Sequence, residues 1–365
     1  MFELSKEQKA VILLSRLTFS REDVDDIKDI FLNGNFNWIE FVKYTTYHKT
    51  LTLNFCNLTS LISENTFFVP RYVYTLYRSF YNSIFTINLQ QEKELHQILH
   101  DARARDIILI PVKGIHLLHD LYKDYGVRFS GDMDILLRKH DVEKVSKVVH
   151  ENDFVQKNYN PHTDEFIDTS RAERLKWKLH MSNLYPYRKR SSMDVYPFFK
   201  VDFRFALDDR LDEKPVLEMI EYYEQNGYLA PHYYLLHLCT HFYNEAKYSA
   251  GIFYGKDLNM IKMCDIREYV LAHREEKVLP GVIELAKRFA CEKAIYYTMH
   301  ILSQVYHDGY EQEVMDLLDV EDTTFLNTFG DSTLTDTQTF KKGFWERFFA
   351  CGNFDELTET PKLMQ

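Results

Sequence analysis

The chain has 365 residues, 45% of them hydrophobic and 15% aromatic, and it carries a formal net charge of -11. This apolar content is enough for a packed core and argues against intrinsic disorder. The negative charge disfavours a surface that grips duplex nucleic acid, although a small phosphorylated ligand is compatible with it. The five scattered cysteines indicate neither a disulfide framework nor a zinc knuckle.

The N-terminus and the longest apolar runs predict where the protein resides. MFELSKEQKAVILLSRL lacks the basic start, apolar run and small-residue cleavage site of a signal peptide. No apolar stretch approaches the roughly 20 residues that are needed to span a bilayer. We therefore expect a cytoplasmic protein without a membrane partner.

Residues 1–100 have the apolar spacing of helices and are predicted to form an N-terminal helical region. The segment SKEQKAVILLSRL begins with a serine that can cap a helix, and residues 37–62 place apolar side chains at three- and four-residue intervals. The segment INLQQEKELHQILHDARARD has the pattern of one amphipathic helix.

Residues 101–214 alternate short apolar runs with helical spacing and are predicted to form an α+β core. IILIPV at 107–112 predicts a buried strand, and after Lys113-Gly114 the segment IHLLHDLYKD has helical spacing. VRFSGDMDILL supplies a second strand and HDVEKVSKVVHEND a second helix. Further candidate strands lie near 154–159, 177–187 and 193–207, with RKRSS as a basic turn between the last two. We expect a mixed sheet of about five strands with two helices on one face.

The remainder of the chain returns to helical spacing. Residues 215–330 are predicted to form a C-terminal helical bundle without a repeat of fixed period. Within residues 331–365, DSTLTDTQT is read as a linker and FKKGFWERFFA as a terminal helix that docks on the body.

Two aspartates stand two residues apart in the second predicted strand. Because side chains alternate along a strand, Asp132 and Asp134 point to one face while Met133 and Ile135 point to the other. Crowded carboxylates cost stability unless a proton, a cationic side chain or a metal compensates. A magnesium site and a solvated strand edge both remain open as readings.

A third acidic residue lies on the strand FFKVDFRFAL. Val201 and Phe203 define a buried face, which leaves Lys200, Asp202 and Arg204 in a row on the other. Taken alone, the row favours a structural ladder of salt bridges, and a third metal ligand is the alternative.

The dipeptide Lys113-Gly114 stands where a strand gives way to a helix. Free backbone N–H groups at such a position attract phosphate, and glycine permits a tight turn and a close ligand. Taken alone, however, the dipeptide favours an ordinary strand-to-helix turn.

These features together resemble a known family. IILIPVKGIHLLHDLYKDYGVRFSGDMDILL is similar to the nucleotidyltransferase superfamily of DNA polymerase β, and specifically to an uncharacterised bacterial branch with the order strand, Lys-Gly, helix, Arg and Asp-x-Asp strand. NWIEFVKYTTYHKT, KVDFRF, LLHLCTHFYNEA and LNMIKMCDI extend the resemblance over roughly residues 30–300. The resemblance implies a nucleotidyltransferase-type α+β fold.

The resemblance also implies roles for particular residues. Asp132, Asp134 and Asp202 would be catalytic and would hold two Mg²⁺ ions, with an NTP as donor substrate. The implied nucleotide-binding positions are Lys113, Gly114, Arg128 and Gly131. Of these, Gly114 would face the triphosphate, and the two basic residues would neutralise phosphate or anchor a loop.

The sequence departs from the wider superfamily at one position, as the branch does, and from the branch itself at another. Ile115 follows Gly114 where a serine is usual, and Arg204 stands where this branch commonly has histidine. The second departure bears on acceptor choice or on activity itself. Asp265 and Lys262 resemble positions of the C-terminal helices, as acceptor-side or structural groups.

The expected activity is transfer of a nucleoside monophosphate from an NTP to a hydroxyl or phosphate acceptor on a small molecule, sugar or modified peptide. One alternative is a glycosyltransferase that uses a nucleotide sugar on a peptide or other natural product. The other is an inactive nucleotidyltransferase-fold binding module. His237 and His241, four residues apart on a predicted helix, are read as packing or hydrogen-bonding groups rather than metal ligands.

Overall fold

The N-terminal part of the protein is helical, as the apolar spacing predicts. The computed structural model describes residues 3–32, 35–62, 68–330 and 337–357. The first five helices, α1 to α5, are Lys6–Leu14, Arg21–Leu32, Trp38–Tyr47, Leu51–Leu61 and Arg71–Arg103. Ser5 caps α1, because its hydroxyl accepts from the Gln8 N–H and the Gln8 side chain accepts from the Ser5 N–H. Apolar side chains of these helices form a cluster of their own.

Eight strands form three sheets within the described residues. Strands β1 to β8 are Ile110–Val112, Met133–Leu136, Lys157–Asn160, Glu165–Asp168, Tyr187–Arg190, Phe198–Arg204, Thr328–Gly330 and Thr337–Thr339. The main sheet has the order β1-β2-β6-β5, in which β2 and β6 are parallel and the two outer pairs are antiparallel. The fold is therefore mixed α+β with flanking helices, as expected.

The main sheet has four strands rather than about five. The candidate strand near 154–159 corresponds to β3, which pairs with β4 in a separate two-stranded sheet. Among the described residues, its backbone pairing with the main sheet is limited to an adjoining bridge between Val155 and Arg188, whose backbones exchange two hydrogen bonds of 2.8 Å. Side chains add further contacts, because the Arg188 guanidinium donates to the Lys157 carbonyl and the Tyr159 ring packs against Phe198. One bridge does not extend into a ladder, so the sheet ends at β5.

The predicted strand at 177–187 is wrong over most of its length. Helix α8 occupies Arg171–His180, and its N-cap Ser170 accepts a hydrogen bond from the Glu173 N–H. This cap starts a helix that overrides the alternation of apolar residues further along. The predicted basic turn RKRSS is wrong in its first half, because Arg188 to Arg190 belong to β5.

Helices connect the strands and continue to the C-terminus. Helices α6 to α16 are Ile115–Leu117, Val142–Glu151, Arg171–His180, Lys214–Asn226, Pro231–Lys247, Ser249–Phe253, Met260–Ala272, Val278–Arg288, Glu292–Val305, Tyr310–Leu318 and Phe344–Phe348. A π-helical turn, Leu118–Tyr122, extends α6, and short 3₁₀ turns occupy Lys139–Asp141, Arg274–Glu276, Thr324–Asn327 and Phe354–Glu356. The main sheet and the C-terminal helices share one apolar core.

The C-terminal segment only partly follows the prediction. Of the predicted linker, 331–336 lie outside the described residues, whereas 337–339 form β8. The terminal helix is short, Phe344–Phe348, and Phe348 is fully buried against the ring of His48. Among the described residues, no helix has the length and apolar character needed to cross a membrane.

Candidate active site

The three predicted aspartates lie together on one face of the main sheet. The parallel register of β2 and β6 places Asp134 directly beside Asp202, and Asp132 precedes Asp134 by two residues on the same face. Asp134 is 4% exposed and Asp202 5%, whereas the Asp132 side chain retains 35% of its surface. The apolar partners Val201 and Phe203 fill the opposite face of β6. Two carboxylates are thus buried side by side, with a third at the edge of the cleft.

Three cationic side chains compensate these carboxylates. The Lys200 ammonium lies 2.9 Å from Asp132 Oδ2 and 2.9 Å from Asp202 Oδ2, so it bridges the two strands. Asp134 is paired on its other side, with Lys113 Nζ at 2.8 Å from Oδ2 and with Arg204 Nε at 3.3 Å from Oδ1. The salt-bridge reading of the row on β6 therefore describes the protein without ligands.

The pKa values of the buried pair move in opposite directions. Burial alone would raise the pKa of Asp134, but Lys113 and Arg204 outweigh it and hold that pKa well below its usual range. Burial also raises the pKa of Asp202, and the negative charges of Asp132 and Asp134 keep it raised although Lys200 opposes them. Of the two buried carboxyl groups, Asp202 is therefore the better proton acceptor.

The Lys113-Gly114 turn closes one side of the cleft. Both residues have positive φ, +64° and +48°, and a Cβ on Gly114 would lie 2.5 Å from Ser130 Oγ. Only glycine fits this notch without displacing its neighbour. Ser130 is 1% exposed, and its hydroxyl lacks a hydrogen-bond partner among the described residues. A serine hydroxyl thus stands at the turn although Ile115, not serine, follows the glycine in sequence.

Helix α10 connects the turn to the C-terminal helices. The Lys113 ammonium donates to His241 Nε2 at 2.9 Å, and the other ring nitrogen of His241 lies 3.4 Å from Glu245 Oε2. Burial, followed by the charge of Lys113, lowers the pKa of His241 well below its ordinary value, so the ring is neutral and can accept this bond. Glu245 in turn pairs with Lys262 of α12. His241 therefore positions Lys113. In the sequence, its spacing of four residues from Glu245 was the signal that could have indicated a paired histidine.

Two predicted nucleotide-binding residues, Arg128 and Gly131, make contacts within the fold. Arg128 is 7% exposed and forms a bidentate pair with Asp265 of α12, with its Nε and Nη2 2.8 Å and 2.6 Å from the carboxylate oxygens. Tyr122 donates to the same carboxylate at 2.7 Å. The Gly131 carbonyl accepts from the Tyr196 hydroxyl at 3.0 Å. Arg128 thus anchors its loop to the C-terminal helices, the second of the two roles expected for it.

The carboxylate groups of the three aspartates are chemically suited to bind a hard divalent cation. Carboxylate oxygens are the ligands that Mg²⁺ prefers, and Asp202 Oδ1 is buried without a hydrogen-bond partner in the described chain. Over residues 3–32, 35–62, 68–330 and 337–357, however, no three His, Cys, Asp or Glu side chains stand at metal-holding separation. Lys200 occupies the space between Asp132 and Asp202, so a shared ion would have to displace its ammonium group.

Sequence reasoning missed the cations that face the aspartates from the helical regions. Lys49, after α3, and Lys256, before α12, both act electrostatically on Asp132. Neither residue belongs to a local pattern that marks a site. They come from the two helical flanks, 207 residues apart in the chain, so only the tertiary structure brings them together.

A mixed sheet that carries clustered aspartates beside a Lys-Gly turn, enclosed by helices, defines a nucleotidyltransferase-type fold. The chain belongs to a family described as uncharacterised nucleotidyltransferase, which matches residues 34–307, about three quarters of its length. No curated protein and no solved structure matches the chain.

Proposed function

We propose that the protein is a Mg²⁺-dependent nucleotidyltransferase that transfers a nucleoside monophosphate from an NTP to a hydroxyl or phosphate group of a small molecule, sugar or modified peptide. The observation that carries this proposal is the convergence of three aspartates from two parallel strands, with Asp134 and Asp202 in register. Family membership supports nucleotidyl transfer in general. The metal, the donor and the acceptor belong to the proposal.

In this proposal Asp132, Asp134 and Asp202 hold the metal, which supplies charge neutralisation for the phosphates of the donor. The chain's own cations act with it. Lys200, released from the two carboxylates that it bridges, and Lys113 at the turn neutralise phosphate oxygens on either side of the cleft. Positioning and charge neutralisation then carry the rate without a covalent enzyme intermediate.

Asp202 is the group proposed to accept the proton of the acceptor hydroxyl. Its Oδ1 is free of protein partners in the described chain, which leaves this oxygen available to the acceptor hydroxyl. The acceptor oxygen forms a bond to the α-phosphorus, and the bond between that phosphorus and the bridging oxygen of pyrophosphate breaks. Pyrophosphate leaves with the electron pair of the broken bond.

The test is a thermal-shift screen of NTPs and sugar nucleotides with Mg²⁺, because a ligand that binds the folded state raises the melting temperature by mass action. We expect an NTP to raise it in the wild type, and the double variant Asp132→Ala, Asp134→Ala to fold but to lose the shift. Asp141→Asn, a substitution of a buried aspartate outside the cleft, is the matched control and should retain it. An equal shift in the double variant would refute the site, and a response to sugar nucleotides alone would favour glycosyl transfer.

A binding module without catalysis is the second candidate, and one observation favours it. Each of the three carboxylates is already paired with an amine or guanidinium group of the chain, and Arg204 holds Asp134. If these pairs persist when nucleotide binds, the aspartates cannot serve a metal. Nucleotide binding that is equally tight with Mg²⁺ and with EDTA, with no pyrophosphate release, would establish this alternative.

A further inference from the structure

Three lysines form a basic cluster that borders the aspartates and takes no part in the sheet. This lysine cluster consists of Lys49 after α3, Lys256 in the loop before α12, and Lys262 in the first turn of α12. Glu245 of α10 is the carboxylate that pairs with it, contacting Lys262 and lying 4.0 Å from Lys256 Nζ. Three ammonium groups thus have Glu245 as their ion-pair partner among the described residues, while Asp132 acts on Lys49 and Lys256 from a longer distance.

The position of the lysine cluster is fixed by hydrogen bonds between the helical regions. The backbone N–H of Ile261 donates to the carbonyl of His48 at 3.3 Å, and the N–H of Met260 donates to His48 Nδ1 at 3.3 Å. His48 itself is completely buried. The end of α3 is therefore attached to the start of α12, which holds Lys49 beside Lys262.

Lys49 is the member whose charge is not balanced. It makes no ion pair with any described residue, it is exposed to solvent, and its φ of +60° is one that non-glycine residues seldom adopt. Partial loss of water around the ammonium group is the largest cause that lowers its pKa, to about 8, and the charges of Lys262 and Lys256 add to it. The carboxylates of Glu245 and Asp132 offset these two positive charges only in part.

We propose that the lysine cluster is a phosphate-binding subsite next to the aspartates, with Lys49 as its principal contact. The inference rests on the proposed function, because Lys49 and Lys256 face Asp132, and Asp132 is one of the residues proposed to hold the metal that binds the phosphates. Lysine ammonium groups bind phosphate as point charges, and separated amines suit a chain of phosphates or a single exposed phosphate group. The ligand chemistry is therefore a phosphate anion, supplied by the polyphosphate tail of the donor or by a phosphorylated acceptor.

The test uses inorganic tripolyphosphate in EDTA, measured by calorimetry on the full chain. Lys49→Gly removes the amine and also relaxes the positive φ, so the variant should fold at least as well as the wild type. We expect tripolyphosphate affinity to fall by roughly tenfold or more, as expected for the loss of one charged contact, and Lys256→Gln to weaken it as well. Lys277→Gly is the matched control, since Lys277 is exposed, has φ of +56° and follows the far end of α12. Unchanged affinity in both cluster variants would overturn the inference.

The source of the phosphate follows from two further measurements on the same proteins. If the lysine cluster holds the donor tail, Lys49→Gly also weakens Mg²⁺-ATP, and tripolyphosphate competes with ATP. If it holds an acceptor phosphate, Mg²⁺-ATP affinity is unchanged, and inorganic phosphate binds to the ATP-saturated wild type but not to the variant. Either pattern supports a phosphate subsite.

The inference and the proposed function can fail separately. In EDTA the double variant Asp132→Asn, Asp134→Asn should bind tripolyphosphate at least as tightly as the wild type, because it removes nearby negative charge. Retained binding there, together with no response to any Mg²⁺-NTP, would leave the phosphate subsite standing and remove nucleotidyl transfer. The opposite result is also possible: the protein binds no tripolyphosphate, and its response to an NTP depends on the aspartates but not on Lys49 or Lys256. That result would remove the phosphate subsite and leave nucleotidyl transfer standing.

Discussion

Replacement of Lys200 by methionine tests whether its ammonium group occupies the place of a metal ion. Lys200 Nζ is 2.9 Å from a carboxylate oxygen of Asp132 and of Asp202, and its side chain is 20% exposed. Methionine keeps the length of the side chain and removes the charge. Two crowded carboxylates then lose their common partner, which is the condition under which a buried ion pair is most costly to break.

The magnitude follows from burial. Removing one partner of a buried ion pair costs about 3–5 kcal/mol, and the lower end applies because the Asp132 side chain is a third exposed. We therefore expect Lys200→Met to lose about 3 kcal/mol of unfolding free energy in EDTA at neutral pH. Mg²⁺ at about 100 times its dissociation constant would return about 2.7 kcal/mol of that loss.

The assay is urea unfolding with EDTA and with Mg²⁺, with stability taken from the midpoint and the m-value. Lys189→Met is the matched control, because Lys189 on the neighbouring strand β5 has a similar exposure, 24%, and pairs with Glu94 alone at 2.8 Å. That variant removes the partner of one carboxylate rather than of two, so it should lose less stability than Lys200→Met and should not respond to Mg²⁺. If Lys200→Met is as stable as the wild type, or is destabilised without any recovery in Mg²⁺, the proposed sharing of one position by amine and metal is refuted.

Two further predictions concern contacts outside the aspartate cluster. Arg128→Lys should lose about 2 kcal/mol of stability, because lysine cannot make the bidentate contact with Asp265. The variant should still bind Mg²⁺-NTP as the wild type does. A variant of full stability that no longer binds Mg²⁺-NTP would show instead that Arg128 contacts the nucleotide. His273 hydrogen-bonds to Asp120 and Glu276, which raises its pKa above 6.5. Its stabilising contribution is therefore complete below the unfolded pKa and disappears as the pH rises through the folded one. The stability difference between the wild type and His273→Gln should shrink as the pH is raised from about 5.5 to 8.5, and a difference that is constant with pH would contradict this assignment.

The sequence could predict the faces of the strands because the period of a strand is local. Alternation in β6 correctly assigns Val201 and Phe203 to the core and Asp202 to the opposite face. Asp202 lies beside Asp134 because β2 and β6 pair in parallel. Only the resemblance to a family led us to expect the two aspartates together, and the register in the structure gives their geometry. Local periodicity alone does not select a strand's neighbour.

The failures of prediction have equally physical causes. In residues 171–180 a capped helical start prevailed over a weak alternating pattern, so the sheet lost a predicted strand. The sequence did not predict the cations near Asp132, for a different reason. Lys49 belongs to a helical region that precedes the sheet, and only its attachment to α12 through His48 places it near Asp132. The sequence left two roles open for Arg128, and its contact with Asp265, 137 residues later in the chain, is the loop anchoring that was one of them.

The central claim is that Asp132, Asp134 and Asp202 share divalent ions with a bound nucleotide. Crystals of the wild type with Mn²⁺ and a non-hydrolysable NTP analogue test it most directly, because manganese is located by its anomalous scattering. The account predicts a manganese peak in contact with carboxylate oxygens of both strands, with the Lys200 ammonium group moved from between them to the phosphates. A nucleotide bound without manganese at these carboxylates, while Lys200 still bridges Asp132 and Asp202, would contradict it.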